Sequence, residues 1–598
     1  MSLLGEVWTI LTPRQRRWVV SAQLLSILMA FSTVIGIASI APFFAVLGDP
    51  NLIHHNGSLQ WLFNYFGFSG SRSFEIALGI AFVALVLLAN LINVAGSLAI
   101  TRLAWWIGTG LQSALFAEYL ARPYIFHTRT HSAVLFNNII HEASRTTNEI
   151  VLNIFVLVTN TATAAFIMVS VLILNPAVAA GMIAALAGGY VLIYLAVRNR
   201  MLKAGQTQSH FFIAQTKIVN EALGAIREII ILRIQNFFRT SFERSSDAYA
   251  RAAANTVLIR QTPKHVMECV AVAGLVAVAL LGGNGAGAIG SWLGQLTFMG
   301  FAAYRLLPIL QQVFGAIVQI RTARSGFHTI AADLRLARVR VAAAAPIGLS
   351  SPEERPKREI RLTDVSFRYE PNKPLAADAV SLCIPAKAAV GFVGANGSGK
   401  TTLVDVAAGL LSPSTGRLEI DGILIDDSNR ADWQSRIAYV PQHIFLLDAT
   451  IAQNVALGVA MEAIDQERLR AAAHLAQLDS FVGTLAEGYD YGIGERGIRL
   501  SGGQRQRIGI ARALYTNASV LIMDEATNAL DGLTEQELMA TIMRLRGSYT
   551  IILIAHRLST VRACDVIFEF DHGRISARGT YAELLTASES FRRLVEVR

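Results

Sequence analysis

The run GANGSGKTT at 394–402 places three glycines, a lysine and two threonines between an apolar stretch, AAVGFV, and a helix-patterned segment. Glycines let successive backbone N–H groups curl around phosphate oxygens, and the positive end of the following helix serves the same anion. Gly394, Gly397 and Gly399 supply the curl, with Ala395, Asn396 and Ser398 between them. Lys400 can reach the β- and γ-phosphates of a nucleotide, Thr401 can offer its hydroxyl to Mg²⁺, and Thr402 closes the motif. SVLIMDEAT at 519–527 reads as a buried strand ending in two carboxylates. Asp524 is placed to act on a Mg²⁺ shell and Glu525 to polarise an attacking water. YTIILIAHR at 549–557 is a second buried strand, ending in His556, whose imidazole can contact a terminal phosphate. A lone carboxylate pair would read as solvated charge and a lone histidine as structural; beside a phosphate loop they form a set that binds and cleaves ATP with Mg²⁺.

LSGGQRQRIGIARAL at 500–514 adds a second anion site. Ser501, Gly502 and Gly503, followed by Gln504, present a hydroxyl and backbone donors at the start of a helix. The elements that must hold these loops follow from the alternation of short β-rich runs with helical ones from residue 361 onward, the pattern of an α/β domain. An Ala-, Pro- and charge-rich linker precedes it at 341–360.

Residues 1–340 have a different character. Across 598 residues, 53% are hydrophobic, only 16% are charged and the mean hydropathy is +0.44, more apolar than a soluble enzyme needs. Apolar stretches at 18–47, 74–104, 149–174, 176–197, 256–283 and 289–318 are each long enough to cross a bilayer core. The first follows Arg14, Arg16 and Arg17 but exceeds the length of a signal-peptide core, so it is expected to be a span. Arg122, Arg129 and Arg145 follow the second stretch, and nine further Lys and Arg residues from Arg198 to Arg251 follow the fourth, whereas the alternate loops are nearly bare. The bias predicts cytoplasmic termini and a cytoplasmic ATPase domain. It also accounts for the net charge of +9 as a topology signal, so no nucleic-acid partner is expected. Cys269, Cys383 and Cys564 have no ligand-like spacing and imply neither a metal site nor a disulfide framework.

Two polar or aromatic segments admit alternatives. NEALGAIREIIILR at 220–233 suits a helix lying on a partner domain or a plain amphipathic connector. In NLIHHNGSLQWLFNYFGF at 51–68, Trp61, Phe63, Tyr65 and Phe66 suit a helix at the membrane surface or a loop packed on the bundle.

LSGGQRQRIGIARAL with the phosphate loop and the DE strand end resembles ABC transporters, and six spans followed by one cassette resembles an exporter-type half-transporter. The resemblance implies an α-helical polytopic membrane domain followed by an α/β P-loop domain. It also implies adenine stacking by Tyr369, roles for Gln442 in Mg²⁺ binding and catalysis, a contribution from Asp531, and Glu495 just before the signature. Asn528 stands where exporters commonly carry serine. Two cassettes packed head to tail would form composite ATP sites, so a homodimer is implied, with helix ends near 120–130 and 221–229 resembling coupling helices.

Arg305 lies inside the sixth apolar stretch and Lys264 near the start of the fifth. An intramembrane cation faces a partner or wet cavity, or snorkels to the interface, and both readings stand on pattern alone. In the first, the pair would favour an anionic cargo such as a diphosphate. AAYRLLP, TPKH, the aromatic segment and LVDV together resemble PglK-like flippases of lipid-linked oligosaccharides, which implies the bacterial inner membrane and a polyprenyl-diphosphate cargo. Ala89 and Asn90 stand where that group has a basic residue in the second span. A lipid A or other lipid flippase and a drug or peptide exporter are the alternative expectations; a soluble DNA-maintenance ATPase is excluded by the spans.

Overall fold

The structure, a computed structural model, describes residues 3–39, 43, 46–47, 53, 57–68, 70–174, 176–282, 289–343, 356–516, 518–526, 532–555 and 558–596. Its contacts separate into two compact units, Met1–Arg122 with Thr130–Ala345, and Pro123–Arg129 with Pro346–Arg598.

The first unit is helical. Six long helices, Pro13–Ala38, Ser71–Leu120, Leu152–Leu174, Pro176–Gly224, Gln235–Gly282 and Ile289–Ala343, coincide with the six apolar stretches. Four segments among the described residues are long and apolar enough to cross a membrane: Pro13–Gly36, Ser71–Leu120, Ser132–Val169 and Ala303–Arg338. At 1.5 Å per residue, helices of 48 to 55 residues reach about 70–80 Å, roughly two and a half times the hydrocarbon thickness. They therefore continue beyond the bilayer. The second long helix exposes Ile80, Leu87 and Leu91, as a lipid-facing surface does.

Without water to drive them together, such helices associate by close backbone approach at small residues. A methyl at Gly205 would overlap the Thr322 carbonyl oxygen, and one at Gly326 would overlap the Glu142 carboxylate. Between the second and third long helices the chain includes two π-helical turns, Asn137–Glu142 and Thr146–Val151, flanking Ala143–Arg145. Their wider winding lies beside a buried polar cluster. Glu142 and Arg145 are 1% and 6% exposed, and the Ser209 hydroxyl donates to Glu142 Oε1 at 2.6 Å. Arg145 donates to Glu149 at 3.0 Å, to Ser209 at 3.1 Å and to the Thr322 carbonyl at 3.0 Å. These partners of the buried charges are all polar, as burial of an ion demands.

The aromatic segment forms a helix, Gly57–Tyr65, on which Trp61 and Tyr65 stack at 5.1 Å and stay exposed while Leu59 is buried against Val46, Ile53 and Phe74. The helix that runs into NEALGAIREIIILR breaks after Gly224 and resumes as Ile226–Leu232, with Ile226, Ile230, Ile231 and Leu232 exposed.

The second unit is α/β. One sheet runs β2-β1-β4-β5, with β1 Glu359–Phe367, β2 Ala377–Pro385, β4 Thr415–Ile420 and β5 Ile423–Leu424, all antiparallel. The other runs β10-β9-β3-β8-β7-β6, with β3 Ala389–Gly394, β6 Ile437–Val440, β7 Val520–Asp524, β8 Thr550–Ile554, β9 Val566–Asp571 and β10 Arg574–Gly579. From β6 to β9 every pairing is parallel. Parallel strands are covered on both faces, which is why VLIMD and TIILI are apolar runs buried at every position.

Candidate functional site

Ligands of parallel α/β sheets bind beyond the carboxyl ends of the strands. β3 ends at Gly394 and β7 at Asp524, so the phosphate loop and the carboxylate pair emerge at the same edge, with β8 between them.

The loop has the backbone that its glycines predict. Gly394, Gly397 and Gly399 have φ of 142°, 79° and 96°, a region that L-residues with side chains rarely adopt. A methyl at Gly394 would overlap the Phe570 carbonyl oxygen and one at Gly399 the Ala376 carbonyl oxygen, whereas Gly397 is open on its outer side. Ala395 and Asn396 are exposed and Ser398 is buried. Lys400 opens the helix Lys400–Ala407, is 5% exposed, and donates to the carbonyls of Gly394 at 3.0 Å and Ala395 at 2.8 Å and to Ser398 Oγ at 3.3 Å. Burial lowers its pKa, against which the charges of Glu525 and Asp524 act. A buried ammonium, the open backbone at Gly397 and a helix start make a cradle that fits nucleotide phosphates.

Asp524 is 8% exposed and accepts a hydrogen bond from the Tyr439 hydroxyl at 3.3 Å. Burial raises its pKa, helped by the neighbouring Glu525 charge and opposed by Tyr439 and Lys400. Glu525 has φ +48°, a left-handed conformation uncommon for its type and held by its N–H donating to the Ile554 carbonyl at 3.0 Å. That turn directs the carboxylate toward Gln442, whose Nε2 donates to Glu525 Oε2 at 2.7 Å. Thr401 is exposed beside Lys400, and Thr402 is buried with its hydroxyl 3.1 Å from that of Tyr369. Thr401, Gln442 and Asp524 bring a hydroxyl, an amide and one carboxylate; among the described residues no cluster of three His, Cys, Asp or Glu offers a metal cage. Such a set suits Mg²⁺, which keeps waters and shares its shell with substrate phosphates.

Tyr369 is half-buried, edge-on to Phe367, with its hydroxyl turned to Thr402. Its carbonyl accepts from Arg129. The short helix Tyr124–Arg129 thus belongs to this unit despite its position in the sequence, with Ile125 packed on the core around Phe392 and Phe570. Ser501 caps the helix Gly502–Tyr515: its hydroxyl accepts from the Gln504 N–H at 3.2 Å while its own N–H donates to Gln504 Oε1 at 2.8 Å. Ser501 is exposed and Gly502 and Gly503 are partly so, which leaves this helix start accessible. His556, Asp531 and Asn528 lie outside the described residues.

Sequence reasoning passed over Asp405. It sits on the helix after the loop, 6% exposed, its pKa pushed up to about 6 by burial and by the charge of Asp524. A carboxylate on the apolar face of LVDVAAG was the available signal. In the first unit, Arg305 and Tyr304 are exposed on the sixth long helix beside the buried Leu306. Lys264 is exposed and stands 3.8 Å from Glu268 Oε1, and the other oxygen of that carboxylate lies 3.6 Å from His265 Nδ1.

A phosphate loop, a strand-end carboxylate pair and a capped signature helix in one α/β unit, joined to a helical membrane unit, define a membrane-bound P-loop ATPase. Residues 377–528 match the family model "ABC transporter". The chain is 31% identical over 530 residues to the ATP-dependent lipid A-core flippase of Bordetella pertussis (strain Tohama I / ATCC BAA-589 / NCTC 13251), covering 87% of this chain and 83% of that protein. A likeness at 42% identity to the ATP-dependent lipid A-core flippase of Cupriavidus pinatubonensis (strain JMP 134 / LMG 1197) spans 236 residues, 39% of this chain and 40% of the relative's length. The fold matches that of a bacterial Atm1-family ABC exporter with ATP bound, with TM-score 0.78, 23% identity and coverage of 97% and 98% of the two chains. The chain belongs to the ABC transporter family and has the exporter architecture, in which ATP hydrolysis is coupled to transport.

Proposed function

We propose that two copies of this chain form an exporter that uses ATP to move a phosphorylated glycolipid from the cytoplasmic to the outer leaflet of a bacterial inner membrane. The observation that carries the cargo class is the 31% identity to a lipid A-core flippase over 83% of that protein's length. That cargo combines acyl chains with a phosphorylated sugar head. The second reading, a polyprenyl-diphosphate-linked oligosaccharide, draws on the exposed Arg305 and on the aromatic helix Gly57–Tyr65, whose exposed Trp61 and Tyr65 suit contact with lipid tails at the interface. Lys264 supports it less, because Glu268 stands within ion-pair distance.

In this reading the loop from Gly394 to Thr402 holds the phosphates, Tyr369 meets the adenine, and Thr401, Gln442 and Asp524 hold Mg²⁺, which supplies charge neutralisation at the β- and γ-phosphates. Glu525 polarises the attacking water, Gln442 orients the Glu525 carboxylate through its 2.7 Å hydrogen bond, and His556 contacts the terminal phosphate. Ser501, Gly502, Gly503, Gln504 and Asp531 of the second copy complete each site. Binding of ATP closes the cassettes because the closed pair holds it more tightly than the open pair. The segments 123–129 and 226–232 carry that movement to the spans, and the exposed isoleucines of the second suit docking on a cassette.

ATPase and leaflet-transfer assays in nanodiscs and vesicles test the cargo. A lipid A-type glycolipid is expected to stimulate hydrolysis and to be moved, with a polyprenyl-diphosphate glycan as the direct competitor. Equal stimulation by hydrophobic drugs without phosphate would overturn both readings. Stimulation by the polyprenyl diphosphate alone, lost in Arg305→Ala, would select the second.

A further inference from the structure

Two amide pairs join the third and sixth long helices. Asn153 Nδ2 donates to Gln319 Oε1 at 2.7 Å, and Asn160 Nδ2 donates to Gln312 Oε1 at 3.0 Å. The two helices run antiparallel, so a step of seven residues forward on one meets a step of seven back on the other, and the pairs stand two turns apart, about 10 Å at 1.5 Å per residue. One more such step along the sixth helix reaches Arg305. Two turns return a side chain to within about 20° of its starting direction, so Arg305, Gln312 and Gln319 form a polar stripe on RLLPILQQVFGAIVQ, whose other residues, Gln311 apart, are nonpolar.

The pairs differ in what they leave open. Asn153 is 8% exposed and also donates to the carbonyls of Asn148 at 2.9 Å and Glu149 at 3.2 Å. That pair is a closed tie between helices, as side-chain amides often are in membranes. Asn160 is half-buried and Gln312 exposed, and among the described residues their mutual bond is the side-chain hydrogen bond each of them makes. A side-chain amide carries two donor hydrogens and an acceptor oxygen, so the Asn160 oxygen, one Asn160 N–H and both Gln312 N–H groups remain to be used. A phosphate would take the donors alone and an acyl chain would take nothing. A sugar hydroxyl both donates and accepts, and therefore suits the whole set.

Depth agrees with that chemistry. Counted from Ile289 at the start of the sixth helix, Arg305 lies about 24 Å along and Gln312 about 35 Å. The hydrocarbon is about 30 Å thick and the bilayer about 40–45 Å with its headgroups, so the amide pair falls in the headgroup layer, on the cytoplasmic side in the orientation proposed above. We propose that Asn160 and Gln312 form a sugar-binding subsite, in which hydroxyls of the glycolipid head bond to the amide pair while Arg305 holds a phosphate about 10 Å deeper. This subsite rests on the glycolipid reading of the cargo and names the side chains that read its sugar.

Native mass spectrometry of the full chain in detergent tests it with two probes, a lipid A-type glycolipid and phosphatidic acid, which has the phosphate and acyl chains without the sugar. Gln312→Met and Asn160→Leu are each expected to weaken the glycolipid roughly fivefold for a hydrogen bond lost, about 1 kcal/mol, and to leave phosphatidic acid and nucleotide binding unchanged. Asn153→Leu, which breaks the closed tie, is expected to lower the melting temperature and keep the ratio of the two lipids. Should Asn160→Leu fold poorly, Gln312→Met carries the test, because its side chain keeps its length at an exposed position. An unchanged lipid ratio in Gln312→Met, or equal loss of both lipids, would overturn the sugar subsite and leave the cargo class standing. An unaltered protein that binds the glycolipid no better than phosphatidic acid would remove the cargo class and the subsite with it.

Discussion

Removing Glu142 is expected to cost the membrane unit about 3 kcal/mol, and removing Arg145 about 4–5 kcal/mol, from the range of 3–5 kcal/mol for breaking a buried pair. Their environments set the order. Without Glu142, the guanidinium keeps Glu149 at 3.0 Å and the Thr322 carbonyl at 3.0 Å. The lost charge contact was also long, 3.8 Å from Arg145 Nη1 to Glu142 Oε2. Without Arg145, a carboxylate 1% exposed keeps only Ser209 and His141 for support, and the Thr322 carbonyl loses its guanidinium partner. The double variant Glu142→Ala with Arg145→Ala is therefore expected near the Arg145→Ala value, well short of the sum, which gives a coupling of about 2–3 kcal/mol. Equilibrium unfolding of the full chain in mixed micelles reads these numbers. Gly326→Ala is a second probe of the same contact, because its methyl overlaps the Glu142 carboxylate. It should destabilise the unaltered protein and be close to neutral once Glu142→Ala has removed the obstacle. Additive losses for the pair, together with a Gly326→Ala effect indifferent to residue 142, would refute the account of this cluster.

Glu525→Gln is expected to slow hydrolysis by 10² to 10⁴, the range for a general base, while nucleotide still binds; turnover and nucleotide retention measured on the same sample check it. Gly399→Ala should abolish nucleotide binding in equilibrium titrations, since φ +96° and the Ala376 carbonyl leave no room for a methyl. Asp405 gives a pH dependence of unusual sign. Its folded pKa of about 6 lies above the ordinary 3.8, so the native state holds a proton that the unfolded chain has already lost between those values. Stability from this group is full below about 3.8, declines as pH rises toward 6 and stays low above it. Asp405→Asn should then raise the melting temperature of the cassette transition at pH 7.5 and leave it unchanged at pH 4; an unchanged value at pH 7.5 would remove the buried charge from the argument.

The fold was legible because its signals are local or periodic. Apolar stretches of bilayer length marked all six long helices, and unbroken runs such as VLIMD marked strands buried on both faces. The phosphate loop was legible for the same reason, since glycine spacing dictates φ over a few residues. Contacts over long sequence separations were not. Gln442 and Glu525 are 83 residues apart, and nothing in YVPQ or MDEAT reports that their side chains meet at 2.7 Å. The stretch 120–130 was legible only through its resemblance to a coupling helix that docks on a cassette; Tyr124–Arg129 does belong with the cassette unit, where Ile125 finds its apolar neighbours, and no local pattern in YIFHTR reports that contact. Arg145 counted in the sequence only as inside-positive charge; the acids at 142 and 149, three and four residues away on a helix, were the signal that it is buried among partners.

That case shows how the basic residues of a membrane protein can be sorted by physics. A charge removed from water must be matched by partners or it unfolds its surroundings, so Arg145, 6% exposed and hydrogen-bonded to Glu149, Ser209 and Thr322, is accounted for by the fold. Arg122 belongs to the same class, 2.7 Å from both Glu118 and Asp333. Arg200, Lys203 and Arg251 are exposed, share one groove and have no acidic partner among the described residues, so the fold gains nothing from their charge. Three exposed like charges in one groove repel one another weakly, because water and counterions screen them. Neutralising them should therefore leave the stability of the lipid-free protein unchanged or slightly higher, whereas neutralising Arg145 or Arg122 should lower it. Unfolding of the delipidated protein separates the two classes, and destabilisation by Arg251→Gln comparable to that of Arg145→Gln would show that the sorting fails.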